Sequence, residues 1–175
     1  MNNYTNENVN TVFKKTNTSI LDIKNNLIPI DDKSIVSNLK TIDDFNLHHL
    51  INLKKFNYNG EIYGIIHVQM QYFYKKSNYD FIIEHMDKKI IDALNISMQE
   101  SSNRKLFALL DLSNITQKNF SRKFIRLLVK EFNDKYDDCL GLCYLHGNFS
   151  FVKIVWPFIS TLLDSKTKKK LVLLK

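Results

Sequence analysis

The sequence predicts an α/β fold, a mainly parallel sheet of about four to five strands with helices packed on it. Three observations carry that prediction. From residue 61 onward, segments of strand and helix periodicity alternate as β-α-β-α-β-α-β. The runs KLFALLDL (105–112) and CLGLCYL (139–145) are apolar on both parities, as strands covered on both faces are. Each strand pair is separated by a helix-length segment, and right-handed crossovers through such segments build a parallel sheet.

Residues 1–18, MNNYTNENVNTVFKKTNT, are rich in Asn and Thr with little to bury, and read as a disordered tail. Residues 19–56 read as a short helical N-terminal segment, broken by Pro29 and by Asp pairs at 31–32 and 43–44. Thr41 with Asp44 resembles a capping box that opens a helix through about Lys55. Asn57-Tyr-Asn-Gly60 is a turn, and the α/β domain spans 57–175.

EIYGIIHVQMQYFY then alternates as a long strand does. Ile62, Gly64, Ile66, Val68, Met70 and Tyr72 share one face, and Tyr63, His67, Gln69 and Gln71 the other. YDFIIEHMDKKIIDALNISMQE sets Ile82, Met86, Ile90, Ala93 and Ser97 at helical spacing, with Ser77 and Asp80 placed to cap it. Helical period returns over 119–134 through Phe120, Phe124, Leu127, Leu128 and Phe132. FSFVKIVWPFISTLL is a further apolar helix, and LVLL (171–174) a final short strand.

With 175 residues, 44% of them hydrophobic, the chain suffices for one domain with a genuine core. Its net charge of +7 is uneven: residues 1–100 hold 11 Lys/Arg against 12 Asp/Glu, and residues 101–175 hold 14 against 6. The positive field belongs to the second half, where it suits phosphate head groups or an acidic protein, or serves as a solvated surface. Cys139 and Cys143 lie four apart in a strand, about 13 Å, which is too far for a disulfide. No further cysteines exist to complete a zinc set, so both are expected as buried thiols in a reducing compartment. The start has no apolar leader, and nowhere do about 18 apolar residues run together, so a cytoplasmic protein, at most peripheral to a membrane, is expected.

Parallel sheets present ligands at the carboxyl ends of their strands. There the loops read Y-K-K-S-N, D-L-S-N-I-T and H-G-N-F, and none has the glycine pattern that cradles phosphate. Asp111 has no second carboxylate at another strand end, so it and Ser113 are expected in a turn or cap. His146 lies three residues from Cys143 and so points to the opposite face of an extended segment, which argues against nucleophile activation and for a loop histidine bonded to backbone. The adjacent His48 and His49 diverge by about 100° on a helix, and His67 and His85 have no partner in sequence. No catalytic set, no metal set and no cofactor is expected.

The remaining polar feature is basic. Arg122, Lys123, Arg126 and Lys130 lie opposite the apolar stripe of their helix, and Lys166, Lys168, Lys169 and Lys170 precede the last strand. Nucleic-acid modules interleave such charges with exposed aromatics, whereas here the aromatics fall on core phases.

From about residue 104 the chain resembles the CRAL-TRIO domain, the Sec14-like lipid-binding module, in a divergent form without its N-terminal helical lobe. FALLDLSNI matches the family's apolar strand ending in Asp, NFSRKFIRLLVKEF its amphipathic helix, Tyr136 its tyrosine, and CLGLCYLHGNF its strand and loop. VWPFISTLLDSKTKKKLVLL matches the end, with Trp156, Pro157, Phe158, Thr167 and Lys170 in register. Asp137 stands where the family has proline, and His146-Gly147 replaces a proline-bearing loop. The family continues past the last strand through a gating helix and a Gly-Gly segment. The resemblance therefore leaves a pocket that is open, closed by residues 19–56, or lost.

What the resemblance implies is a non-enzymatic module holding a lipid or other hydrophobic ligand, at an anionic membrane surface in one version. Leu109, Leu142, Tyr144, Phe149 and Trp156 are its candidate lining residues, and Arg122, Lys123, Arg126, Lys168, Lys169 and Lys170 its basic surface. The alternative is a regulatory domain that has lost the pocket and binds a small GTPase or another acidic protein, or a STAS-like regulator. A STAS fold leaves the Trp-Pro helix and the Thr-Lys ending unexplained.

Overall fold

The computed structural model describes residues 14–15, 18–30, 47–136 and 138–174. Among the described residues seven strands form one sheet: β1 (Lys14–Lys15), β2 (Leu27–Ile28), β3 (Ile51–Tyr58), β4 (Glu61–Gln69), β5 (Leu106–Leu112), β6 (Leu140–Gly147) and β7 (Leu171–Leu173). Their spatial order is β1-β7-β6-β5-β4-β3-β2. Strands β4 to β7 are mutually parallel and form the expected body. The antiparallel β3 and β2 extend one edge, and β1 pairs in parallel with β7 at the other.

Among the described residues the helices used below are α1 (Ile20–Asn25), α2 (Tyr79–Ser101), α3 (Arg122–Lys135), α4 (Phe149–Ser160) and α5 (Ser165–Lys168). Because β4 to β7 step across the sheet in one direction, right-handed crossovers place α2, α3 and α4 on the same face. That face carries the larger core, which includes Ile66, Val68, Met86, Ile90, Leu106, Cys143 and Trp156. The opposite face carries Phe56, Tyr63, Ile65, Phe107, Leu109, Tyr144 and Val172, with Ile23 of α1 packed among them.

Two predicted elements are corrected. The helix expected through Lys55 ends by Leu50, and Ile51–Tyr58 is a strand. Asn59 and Gly60, at φ 55° and 87°, make the two-residue hairpin turn that pairs β3 with β4 from Ile51↔Val68 to Tyr58↔Glu61. Pairing along that whole length outweighs the local helical pattern of Asn52 to Lys55. The start of that helix at Thr41 and Asp44, and most of the tail at 1–18, lie outside the described residues. The long strand from Glu61 also ends early, at Gln69, and Met70–Tyr72 turn as a 3₁₀ helix. That turn delivers Phe73, fully buried, to stack on Phe124 with ring centroids 4.5 Å apart.

Local chemistry sets the remaining ends. Asn78, rather than Ser77 or Asp80, caps α2, its side chain accepting from Asp80 N at 3.1 Å. Ser121 caps α3, Asn148 caps α4 and Asp164 caps α5. Helix α2 seats on β4 through Gly64, where a β-carbon would lie 2.2 Å from the Ala93 carbonyl oxygen. Ser97 Oγ accepts the Gly64 amide at 2.8 Å and donates to Ala93 O at 3.0 Å.

Strand β6 carries one extra residue against β5: Leu106 pairs with Leu140, but Ala108 pairs with Cys143. This bulge lets Leu140 and Cys143, three apart, both face the helices.

Candidate functional site

Helices α3 and α4 cover the sheet only in part. Phe124 is the one buried residue of α3, and Val152, Val155 and Trp156 are those of α4. Between these helices and the sheet lies a cavity of about 240 Å³. Its floor is Ile66 and Val68 of β4, Ala108 and Leu110 of β5, and Cys143 and Leu145 of β6. Met86 and Ile90 of α2 wall one side, while Leu128 and Phe132 of α3 and Val155 and Trp156 of α4 form the roof. Ala108 sits on the central strand, and its short side chain leaves room there that a leucine would fill.

The lining is hydrocarbon almost throughout; Asn133 and Thr167 are its polar members. Thr167 is already engaged, its hydroxyl donating to Asp164 Oδ2 at 3.0 Å. An interior of this kind offers dispersion and desolvation to an apolar ligand and few bonds to a polar one. Cys143 lies in the floor as a free thiol, and burial pushes its pKa up to about 12, so it stays protonated and inert. Cys139 is also buried and free, but it lies in the turn before β6 rather than in the strand.

The seam between α3 and α4 is aromatic and basic. Phe120 meets Phe151 and Phe158 with centroids 5.6 and 6.4 Å apart. The Arg122 and Arg126 guanidinium groups lie 5.6 and 5.5 Å from the centre of the Phe158 ring. Pro157 interrupts α4 beside this stack, having no amide hydrogen to continue the helical bonding.

The sequence-predicted residues divide between the two faces of the sheet. Trp156 lines the cavity. Leu109 and Tyr144 are buried on the opposite face, with Leu142 packed against the same cluster. Strand alternation requires this, since Ala108, Leu110, Cys143 and Leu145 point the other way. Phe149 is half-buried at the start of α4 under the Lys153 ammonium, 5.1 Å from its ring centre. Which parity faced the helices was not readable from strands apolar on both.

Among the basic residues, Arg122 and Arg126 gather on Phe158, and Lys123 lies 6.0 Å from the Tyr79 ring centre. Lys166 and Lys170 approach Asp138 at 3.7 and 3.8 Å, tying the loop before β7 to the turn before β6. Lys168 is half-buried and Lys169 exposed on the same short segment. Of the described residues within 19–56, those of α1 pack on the far face through Ile23, and Leu50 reaches the lining.

A polar group marks the carboxyl ends of the strands on the far face. Asp111 Oδ1 accepts the Ser113 amide at 2.9 Å, which is the turn role expected of this pair. Asp111 Oδ2 lies 3.8 Å from His67 Nε2, and His146 is its register partner on β6. His146 is thus a strand residue rather than a loop histidine held by backbone, and its Nδ1 is buried without a hydrogen-bond partner. Burial holds the His67 pKa below its ordinary value, aided by Lys54 and opposed by Asp111. For Asp111 burial acts upward, but the Ser113 bonds and the two nearby histidines outweigh it and leave the carboxyl below its usual range. Among the described residues no three His, Cys, Asp or Glu side chains are set to hold a metal ion, and no helix is long and apolar enough to cross a membrane.

Comparison with known proteins agrees with this architecture. No curated protein matches the sequence. Among solved structures, the crystal structure of Sfh5 superposes with a TM-score of 0.64 at 18% identity, over 81% of this chain. The chain spans 54% of the length of that protein. The family model described as the CRAL/TRIO domain matches residues 51–175, from the first strand of the hairpin through β7. A parallel sheet under three crossover helices, hollow on the helix side and matched along most of its length by that model, makes this chain a member of the CRAL/TRIO domain family, a family of lipid-binding modules.

Proposed function

We propose that this domain binds one apolar molecule, non-covalently and without catalysis, in the cavity between the sheet and α3 and α4. The observation that carries the reading is the cavity itself: about 240 Å³ lined almost wholly by hydrocarbon, in a fold whose other face is filled. Its size falls just under the roughly 300–1,000 Å³ typical of small-molecule pockets. A single acyl chain or a compact apolar ring system suits it better than a whole phospholipid. The guanidinium groups of Arg122 and Arg126, stacked at the α3–α4 seam, give an anionic head group or bilayer surface a positive approach to the same helices.

Native mass spectrometry of gently purified protein, followed by organic extraction, tests the reading. One apolar molecule per chain is expected, with Ala108→Leu lowering its occupancy because the added side chain fills the floor. Repeated preparations without bound ligand, and no saturable uptake of a fluorescent fatty acid, would overturn it.

A further inference from the structure

The outer face of α2 carries a second recognition feature, on the side of the helix turned away from the core. Phe81, Glu84, Lys88, Ile91, Asn95 and Met98 are all exposed, and their spacing alternates three and four residues. They form a single ridge along the helix. Phe81, Ile91 and Met98 on that ridge are 43%, 49% and 48% exposed, large apolar side chains that the described residues leave open to this extent. Three such residues aligned on one seam differ from the scattered exposed hydrophobics of an ordinary surface.

We propose that this ridge is a self-association surface, on which α2 of one copy packs antiparallel against α2 of a second copy. The argument is symmetry. A two-fold axis crossing the ridge between Glu84 and Lys88, at the level of Met86, exchanges Phe81 with Ile91 and Glu84 with Lys88. Along the ridge Phe81 then meets Ile91, and Glu84 meets Lys88. A two-fold interface must be self-complementary in this way, and few arbitrary ridges are. Glu84 and Lys88 already pair within one helix at 2.9 Å, so the dimer joins two such pairs into a four-charge network.

The same register carries Met98 past the start of the partner's α2. A groove of about 420 Å³ lies there, walled in part by Tyr74 and Phe81. Asp87, beside the seam, is answered within each copy by Lys135 at 2.6 Å and adds no uncompensated repulsion. The alternating spacing of the ridge suits a shallow left-handed crossing of the two helices. One helix pair buries less surface than the roughly 1,200–2,000 Å² of a stable complex, so association is weak and concentration-dependent.

Sedimentation velocity over a concentration series tests the proposal directly. The native chain is expected to shift from monomer toward dimer as concentration rises, and Ile91→Glu to weaken the association by about tenfold or more. The decisive arm is charge exchange. Glu84→Lys and Lys88→Glu each place like charges across the axis and are expected to remain monomeric alone, while an equimolar mixture of the two associates at least as well as the native chain. All three positions are exposed, and circular dichroism checks that each variant folds. A native chain monomeric throughout, an Ile91→Glu variant that still dimerises, or a mixture no more associated than its components would overturn the proposal. The outcome is independent of whether the cavity holds a ligand.

Discussion

Replacing Gly64 by alanine tests how α2 is seated and, with it, one wall of the cavity. The new β-carbon would stand 2.2, 2.4 and 2.6 Å from the O, Cα and C atoms of Ala93. All three are backbone atoms, so no side chain can swing aside and the helix itself must lift from β4. Overpacking of this kind costs about 1–3 kcal/mol. Lifting the helix also breaks the buried bond from Gly64 N to Ser97 Oγ, which costs a further ~1–3 kcal/mol when the amide is left unsatisfied. A combined loss of about 3 kcal/mol lowers the melting temperature of a chain this size by roughly 6–12 °C. Thermal melts followed by circular dichroism measure it. Ser97→Ala alone should lose only the bond, and added to Gly64→Ala it should cost much less than it does singly, because the bond is already gone. A Gly64→Ala protein melting within about 2 °C of native, or strict additivity of the two changes, would refute the close seating on which the magnitude rests.

Three further outcomes follow from the structure. The buried Asn119 amide donates to Gln71 O and Phe73 O at 3.0 and 2.9 Å, and its Oδ1 accepts from the Thr116 hydroxyl at 2.8 Å. Asn119→Ala should therefore cost about 2–4 kcal/mol in urea titration, and Asn119→Asp more, because a carboxylate would face two carbonyl oxygens. The lowered His67 pKa means that below about pH 6.5 the unfolded chain binds a proton that the folded chain resists. Stability should fall from pH 7.5 to 5.5 and vary less with pH in His67→Gln, and an unchanged pH profile in that variant would contradict the assignment. Cys139 and Cys143 should not react with an aromatic disulfide reagent at pH 8 while the protein is folded, and both should titrate in denaturant; rapid labelling of Cys143 in the native state would show that the floor of the cavity is open to water.

The parallel body was legible because its strands are apolar on both faces and its helices keep strict period from Ile82 to Ser97 and from Phe124 to Phe132. The hairpin strand β3 was missed because INLKKF fits a helix as well as a strand. The Asn59-Gly60 pair carried the deciding signal, since a two-residue turn with both residues at positive φ selects antiparallel strands on either side. The site was legible in kind but not in place. That a cavity would lie above the sheet came from the family resemblance, and Trp156 is among its lining residues. The assignment of Leu109, Leu142 and Tyr144 to the same lining required knowing which parity faced the helices, and a doubly buried strand does not encode that. The bulge in β6, which shifts parity between Leu140 and Cys143, has no composition of its own to announce it.

The pairing of β1 with β7 bears on how the protein is made. Lys14 lies beside Val172 in the finished sheet, so nearly the whole chain separates two neighbours in space. Closing so long a loop is entropically slow, although each doubling of its length adds only about 0.6 kcal/mol. A ribosome releases the β3–β4 hairpin, α2 and β5 well before it has made β7, and these elements share dense local contacts. The early-synthesised N-terminal edge strand must wait for its partner. Assembly from the hairpin outward, with the two far ends meeting last, is the order this topology imposes on a nascent chain.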